Sequence, residues 1–294
     1  MTRLAALLGV LSISFSAIFV RLADVSPSTA AFFRAGYAIP VLFLIWRLGR
    51  GQDYRSTRDR QVAFVSGLFL AMDLAFWHQS ISLIGAGLAT VLVNIQVVFV
   101  GLAAWAVYRE RPTGLALFTI PIIFGGVALM SGLGRPDAYG DDPLGGVIFG
   151  IFSGVAYALF LLVFRASNRG LAPSAGPLLD ATVGVAVGSL IAGLVDPGFD
   201  LGLSWPAHGW LLGLALAVQV VGWLLIAAAL SRLPALETSV MLLLQPMATV
   251  LWGILIFAEH LSLLQWAGAA LVLGGIGALT LRGSVERPAP SGSP

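Results

Sequence analysis

Apolar runs of roughly twenty residues follow one another along almost the whole chain. A helix needs about 20 residues to cross the ~30 Å hydrocarbon core of a bilayer. Charged residues make up only 10% of the 294 residues, too few to cover a soluble domain. The pattern therefore predicts an all-α integral membrane protein. Windows of this length place ten transmembrane helices at residues 4–22, 28–46, 61–83, 85–108, 113–133, 144–164, 173–195, 208–231, 234–258 and 263–281.

The charged residues between these runs predict an orientation. All sixteen basic residues are arginines, and most lie in the connections on one side, whereas the other side holds Arg21, Arg135 and most of the connecting aspartates. The positive-inside rule then places both termini in the cytoplasm. The basic segment 49–60 is expected to contact anionic membrane lipid rather than nucleic acid. The arginines of the basic side are Arg3, Arg47, Arg50, Arg55, Arg58, Arg60, Arg109, Arg111, Arg165, Arg169, Arg232, Arg282 and Arg287.

The second half of the chain repeats the first. Residues 84–131 align without a gap to residues 233–280, and this alignment pairs Glu110 with Glu259. Further pairs, at the same or slightly smaller shifts, are Gln96 with Gln245, Trp77 with Trp223 and Arg34 with Asp180. We expect two five-helix repeats, at residues 1–135 and 143–282, and a disordered tail at residues 283–294.

An odd number of helices in each repeat gives the second repeat the opposite orientation in the membrane. Its acidic turn, FAEHLS at residues 257–262, then faces the outside. The matching turn YRERPT, at residues 108–113, faces the cytoplasm and carries arginines, as the positive-inside rule predicts. Inverted repeats are the architecture of secondary transporters, in which two halves expose a midplane site to either side in turn. The repeat therefore predicts a carrier that works by alternating access.

Motifs along the chain carry a resemblance to a known family. They are FFRAGYA at 32–38, SLIGAGLATVL at 82–92, the two acidic turns, and glycine pairs at 125–126 and 274–275. Together they resemble the drug/metabolite transporter superfamily, specifically its ten-helix EamA-type exporters, over residues 4–281. The resemblance is strongest to bacterial inner-membrane exporters of amino acids and related metabolites, and it implies a cavity shared between the halves. One departure is Val97, which stands where the repeat twin has Pro246.

Polar side chains within the predicted spans indicate a candidate substrate site. Because lipid would leave them unsatisfied, they must face the protein interior or water. We expect amide and hydroxyl groups to hold a zwitterion whose side chain lies against aromatic rings. The first span lacks the glutamate that small multidrug relatives carry, so cationic drugs are not expected. Each residue type also has an alternative role that does not involve substrate. The serines could bond to their own backbone, the glutamines could hold helices together, and the tryptophans and the histidine could simply pack. The candidate substrate-binding residues are Ser12, Ser16, Trp77, His78, Asn94, Gln96, Tyr157, Gln219, Trp223 and Gln245.

Three charged residues lie deep in predicted spans, where an unpartnered charge costs on the order of 3 kcal/mol. Arg34 and Asp73 have matching depths, about 10–12 Å from the outer end of the span at 1.5 Å per residue. These depths predict that they pair. Asp180 lies about 10 Å from the cytoplasmic end, which argues against a bridge to Arg34. We expect all three to be structural or coupling charges, since either carboxylate could carry a proton or form a salt bridge.

Other classes of function lack their sequence signatures. The chain has no cysteine and no HExxH or G-x-S-x-G motif, so an enzyme is not expected. His78, His208 and His260 are isolated, which predicts no metal site, and no cofactor is expected. A channel would need a ring of like charge, which the spans do not offer.

A carrier for another neutral or anionic metabolite, either proton-coupled or working as an importer, remains an alternative. A monomer is compatible with the sequence.

Overall fold

The computed structural model describes residues 2–49, 53–108, 114–130, 138–167, 175–230 and 235–285. Every regular element in these ranges is a helix, and they contain no strand, which confirms the predicted all-α class. A π-helical segment, Leu214–Gly222, connects α9 to α10. The helices are α1 (Thr2–Ser14), α2 (Ser16–Ala23), α3 (Pro27–Gly49), α4 (Thr57–Val93), α5 (Gln96–Tyr108), α6 (Gly114–Met130), α7 (Pro143–Ser167), α8 (Ala175–Gly193), α9 (Ala207–Gly213), α10 (Trp223–Leu230), α11 (Ala235–Phe257) and α12 (Leu263–Val285).

Several helical stretches are long and apolar enough to cross a bilayer. By length and composition, six stretches in the described residues meet this requirement, and three shorter apolar helices accompany them. The chain is therefore a multi-pass membrane protein. The six stretches are Leu4–Ala23, Pro27–Gly49, Thr57–Ala103, Pro143–Phe164, Ala175–Gly193 and Ala207–Ile226, and the shorter helices are Leu117–Met130, Leu244–Phe257 and Leu263–Leu279.

Two predicted spans differ from single continuous helices. The span predicted at 4–22 is interrupted at Phe15, between α1 and α2. The span predicted at 85–108 is interrupted at Asn94 and Ile95, whose N–H groups bond to carbonyls only three residues back. The side-chain amide of Asn94 donates to the carbonyl of Thr90, which stabilises this turn. The interruption occurs in the repeat that lacks proline, whereas α11 is helical through Pro246.

Other boundaries also need correction. The α4 helix joins two predicted spans through Gly85, whose φ of 81° and ψ of 169° are not helical. Glycine adopts a positive φ without steric cost, so the chain turns there between two helices. The span predicted at 208–231 contains the π-helical segment, which the apolar pattern alone does not distinguish from an α-helix. Residues 283–285, predicted to belong to the disordered tail, are helical.

Glycines allow close packing around α4, which contacts α7, α8 and α11. A Cβ atom at Gly67 would lie 1.9 Å from the carbonyl oxygen of Ala181, and one at Gly184 would lie 2.1 Å from that of Phe64. The α4 and α8 backbones are therefore in direct contact. In the same way, α6 and α12 meet at Gly126, where a Cβ would lie 2.7 Å from the carbonyl oxygen of Gly268.

Candidate functional site

A central cavity of about 260 Å³ lies between the helices. Its wall combines elements from the first part of the chain, α1 to α5, with α7, α10, α11 and α12. Apolar residues such as Leu70, Val93 and Ile276 complete it, and their aliphatic side chains gave no sequence signal for a binding site. The structure brings most of the predicted polar residues together here. Those that line the cavity are Ser16, Arg34, Asp73, Trp77, Asn94, Gln96, Tyr157, Trp223 and Gln245.

Four of the predicted residues do not line the central cavity. Ser12 donates its hydroxyl hydrogen to the carbonyl of Ala217, which joins α1 to the π-helical segment. Gln219 lies behind the cavity wall and holds a lining residue in place. The other two, His78 and Asp180, lie in different parts of the structure.

The guanidinium group of Arg34 is held by neutral oxygens. Its Nε donates to Oε1 of Gln219 over 2.8 Å, and its Nη1 donates to Oγ of Ser16 over 3.1 Å. Gln219 in turn donates to Oγ1 of Thr182, which fixes the orientation of the amide. Arg34 is only 5% exposed. No carboxylate of the described residues lies within 4 Å of this guanidinium, so the neutral groups orient it without cancelling its charge.

Asp73 lies in the same cavity with a different neighbour. It is 5% exposed, and its Oδ1 accepts a hydrogen bond from Oγ of Ser153 over 2.5 Å. The predicted direct ion pair between Arg34 and Asp73 is therefore wrong, because no nitrogen of Arg34 approaches the carboxylate within 4 Å. Matching depths give the height of the two residues along their helices, but not the direction of their side chains. Both charges instead face one cavity.

The two tryptophans of the cavity leave their donor groups unused. Nε1 of Trp77 and Nε1 of Trp223 are buried, and neither has a hydrogen-bond partner. Trp223 packs edge-on against Phe160, which stacks on Tyr157, so an aromatic wall supports this side. A buried N–H without an acceptor costs about 1–3 kcal/mol. Both groups are therefore suited to an acceptor that enters the cavity.

Asp180 forms part of a charged cluster at one end of the bundle. Its Oδ2 accepts from Nη1 of Arg55 over 2.7 Å, and the same guanidinium contacts Asp53. Nε1 of Trp46 also donates to Asp53. The hydrogen bonds from Arg55 and Trp46 hold the pKa of the Asp53 carboxyl well below its ordinary value. The sequence indicated a lipid-facing basic segment here, whereas the structure shows that Arg55 joins this segment to α8.

The opposite end of the bundle is built around Glu259, and we call it the Glu259 end. Glu259 is 1% exposed, and its carboxylate accepts from the backbone N–H groups of Ala86 and Gly87. Nη1 of Arg21 lies 2.5 Å from the same carboxylate, and its guanidinium lies over the ring of Phe257. The sequence predicts that Glu259 lies in a turn, but it does not predict the contact with Arg21. Its repeat twin Glu110 lies outside the described residues.

Comparisons with known proteins support the interpretation of the chain as a membrane transporter. The sequence model of the EamA-like transporter family matches residues 1–132 and again residues 144–281. An uncharacterized transporter of Archaeoglobus fulgidus is 26% identical over 270 residues, which cover 90% of this chain and 92% of the relative. An uncharacterized protein of Pseudomonas aeruginosa is 31% identical over 211 residues, 71% of this chain and 69% of the relative.

The fold is similar to that of a solved crystal structure. It superposes with a TM-score of 0.57 and covers 96% of this chain and 98% of its own, at 16% sequence identity. At that identity the likeness concerns the fold alone.

Proposed function

The chain belongs to the EamA-like transporter family of the drug/metabolite transporter superfamily, and on this premise we propose that it exports amino acids or related small metabolites across the bacterial inner membrane. It is a secondary transporter whose two halves alternate in exposing the central cavity. The observation that carries the proposal is the pair of opposite charges in that cavity, Arg34 and Asp73, neither of which has a counter-ion within 4 Å among the described residues.

Opposite charges that share a cavity without touching are complementary to a zwitterion. Burying an unpaired charge is costly, and each of these groups would gain a partner when a zwitterion binds. The carboxylate of the ligand would accept from the guanidinium of Arg34, and its ammonium group would donate to Asp73. Because Ser16 and Gln219 hold the guanidinium from the protein side, it is oriented before the ligand arrives.

The remaining lining supports an amino-acid-sized ligand. Nε1 of Trp77 and Nε1 of Trp223 add two donors that a ligand carboxylate or carbonyl would satisfy. The volume of about 260 Å³ lies just below the range of roughly 300–1,000 Å³ that is usual for ligand pockets. A small metabolite fits this volume better than a bulky drug. The amides of Asn94, Gln96 and Gln245 can bond to further polar groups of the ligand.

The architecture that we propose for this transport is an inverted repeat. The repeats span residues 1–135 and 143–282, with ten membrane spans, both termini in the cytoplasm, and the Glu259 end outside. The internal sequence repeat supports it, as do the two separate matches of the family model. The cavity wall draws on elements of both repeats, so a rocking motion between them would open it to either side.

A second candidate function is the carriage of an anionic metabolite. Arg34 and the two tryptophan N–H groups are donors, and Asp73 is the one carboxylate that lines the central cavity in the described part of the chain. A proton on Asp73 would leave a cavity with a net positive charge, which suits an anion. Transport would then be coupled to protons, in either direction.

Counterflow in liposomes tests these functions against each other. Purified protein is reconstituted, loaded with one unlabelled amino acid, and supplied outside with labelled amino acids, their deaminated acids and their decarboxylated amines. We expect uptake of amino acids alone, with and without an imposed pH gradient. Uptake of the deaminated acids that requires a pH gradient would favour the anion carrier, and no uptake of any compound would contradict both functions.

Two substitutions test whether Asp73 binds the ammonium group of the ligand and whether Arg34 binds its carboxylate. Asp73→Asn should abolish the preference for an amino acid over its deaminated acid, whereas Arg34→Gln should abolish the preference over the amine. His260→Ala, at an exposed position of the Glu259 end, is the control and should retain wild-type uptake. If Asp73→Asn leaves the ligand preference unchanged, the zwitterion proposal is wrong.

A further inference from the structure

A second cavity, of about 350 Å³, lies at the Glu259 end and is called here the end cavity. The end of α2 and the middle of α4 line it together with residues 139–141. We propose that the end cavity is a separate binding site that takes the primary ammonium group of a small apolar amine. The site is distinct from the central cavity, and its ligand does not depend on the zwitterion proposed above.

The first observation is a buried acceptor on His78, which lines the end cavity. His78 is 3% exposed, and its Nδ1 lies 3.1 Å from the carbonyl oxygen of Pro27. Because a carbonyl oxygen only accepts hydrogen bonds, Nδ1 carries the hydrogen, and Nε2 of the neutral ring is an acceptor. That Nε2 is buried and has no partner. A ligand with an N–H donor would satisfy it.

The second observation is the charge of the lining. Asp24 and Asp141 both line the end cavity, and neither forms an ion pair within 4 Å with a described residue. Arg21 also lines the end cavity, but Nη1 of its guanidinium is already paired with Glu259. Two carboxylates and a buried acceptor are therefore available to a cation that carries several N–H donors.

The chemistry of the wall selects an ammonium group rather than a metal ion. The described residues contain no group of three His, Cys, Asp or Glu side chains placed to hold a metal. Apolar side chains, including Val25 and Ile81, complete the wall and would contact a short alkyl chain. A primary alkylammonium ion offers three N–H donors and one apolar tail.

The two cavities are neighbours along α4. Asp73 lines the central cavity and His78 the end cavity, and five residues separate them, about 7.5 Å along the axis at 1.5 Å per residue. An amine at the end cavity would therefore lie beyond the central site, toward the Glu259 end. A binding test must distinguish the two positions.

The experiment uses n-butylammonium as the probe and full-length protein in nanodiscs of zwitterionic lipid. The histidines carry ¹⁵N, so the Nε2 resonance of His78 reports directly on the end cavity. His208, which bonds to Tyr37, and exposed His260 serve as internal references. We expect a saturable shift of the His78 resonance with n-butylammonium and none with n-butanol. Equal shifts with the two compounds, or no shift with either, would overturn the proposal.

Matched variants locate the bound amine. Asp24→Asn and Asp141→Asn should each weaken its affinity about tenfold, and asparagine tolerates the positive φ of 49° at position 24. The control is Asp142→Asn, at an exposed neighbour that does not line the cavity and whose side chain caps α7 at Gly145. Unchanged affinity in both cavity variants would contradict the site.

Two further variants separate this site from the central one. His78→Asn retains a side-chain N–H near the position of Nδ1, for the carbonyl of Pro27, and removes Nε2. It should weaken binding of the amine, measured by ligand-observed NMR. Asp73→Asn should leave that binding intact even if it abolishes amino-acid uptake. Loss of amine binding in Asp73→Asn alone would place the amine in the central cavity and overturn the proposal.

Discussion

The carboxylate of Glu259 caps the helical segment that begins at Ala86, although 173 residues separate the two in the sequence. Its Oε1 accepts from the N–H of Ala86 over 2.7 Å, and its Oε2 accepts from Gly87 over 3.1 Å. A Cβ at Gly85 would lie 2.6 Å from this carboxylate, so glycine is required for the approach as well as for the positive φ. The cap joins α11 and its following turn to the middle of α4.

Loss of this cap should destabilise the fold. Glu259→Ala leaves two buried N–H groups without an acceptor and removes the partner of Arg21, which together should lower the free energy of unfolding by about 2–4 kcal/mol. Glu259→Gln retains one acceptor oxygen and should cost less. Unfolding in mixed detergent micelles measures both, with exposed His260→Ala as the neutral control. A neutral Glu259→Ala would show that the cap does not stabilise the protein.

The N–H groups of the cavity tryptophans should matter more for substrate binding than for stability. Trp77→Phe and Trp223→Phe keep an aromatic ring and remove an N–H that has no partner in the structure. Each should leave the free energy of unfolding nearly unchanged, because the loss of a buried unsatisfied donor offsets the packing lost with the smaller ring. If these N–H groups bind a carbonyl of the substrate, its affinity should fall about 3- to 10-fold, as expected for one neutral hydrogen bond, and it should fall further if they bind its carboxylate. Reduced stability with unchanged affinity would indicate that they only pack.

The positions of the cavity residues follow from the sequence because a membrane imposes a simple rule. Polar groups in a span avoid lipid, so Trp77, Gln96, Tyr157 and Gln245 could be assigned to the interior without coordinates. The same rule does not tell one interior environment from another. It therefore grouped His78, which lines the end cavity, with residues of the central cavity.

The charge contacts were less predictable than the helices. Counting residues gives the height of a side chain along its helix, but a contact also requires the two side chains to point toward each other. The guanidinium of Arg34 points toward Ser16 and Gln219 and binds them, and it does not bind Asp73 directly. The interruption at Asn94 has no proline or glycine to mark it, so the apolar pattern concealed it.

Close contact between α4 and α8 should make Gly67 intolerant of a side chain. In Gly67→Ala, the added Cβ would lie 1.9 Å from the carbonyl oxygen of Ala181, and two backbones would have to separate. We expect a loss of at least about 2 kcal/mol in the free energy of unfolding. The matched control is Gly36→Ala in α3, where nothing lies within 4 Å of the added atom. It should be neutral or stabilising by up to about 1 kcal/mol, because alanine favours a helix. Similar losses in both variants would contradict the contact.

The contact between Asp53 and Arg55 should make stability depend on pH. Oδ1 of Asp53 lies 2.9 Å from Nε of Arg55, and this bond lowers the pKa of the carboxyl in the folded protein. A group with a lowered folded pKa stabilises the fold fully above its unfolded pKa, near 4, and loses this effect as the pH falls toward the folded value. Asp53→Asn should therefore cost about 2 kcal/mol at neutral pH, and the same near pH 5, but less near pH 3. Unfolding of both proteins across this range measures the difference. In an Arg55→Gln background the cost should shrink at every pH, whereas a cost that grows on acidification would refute the assigned sign.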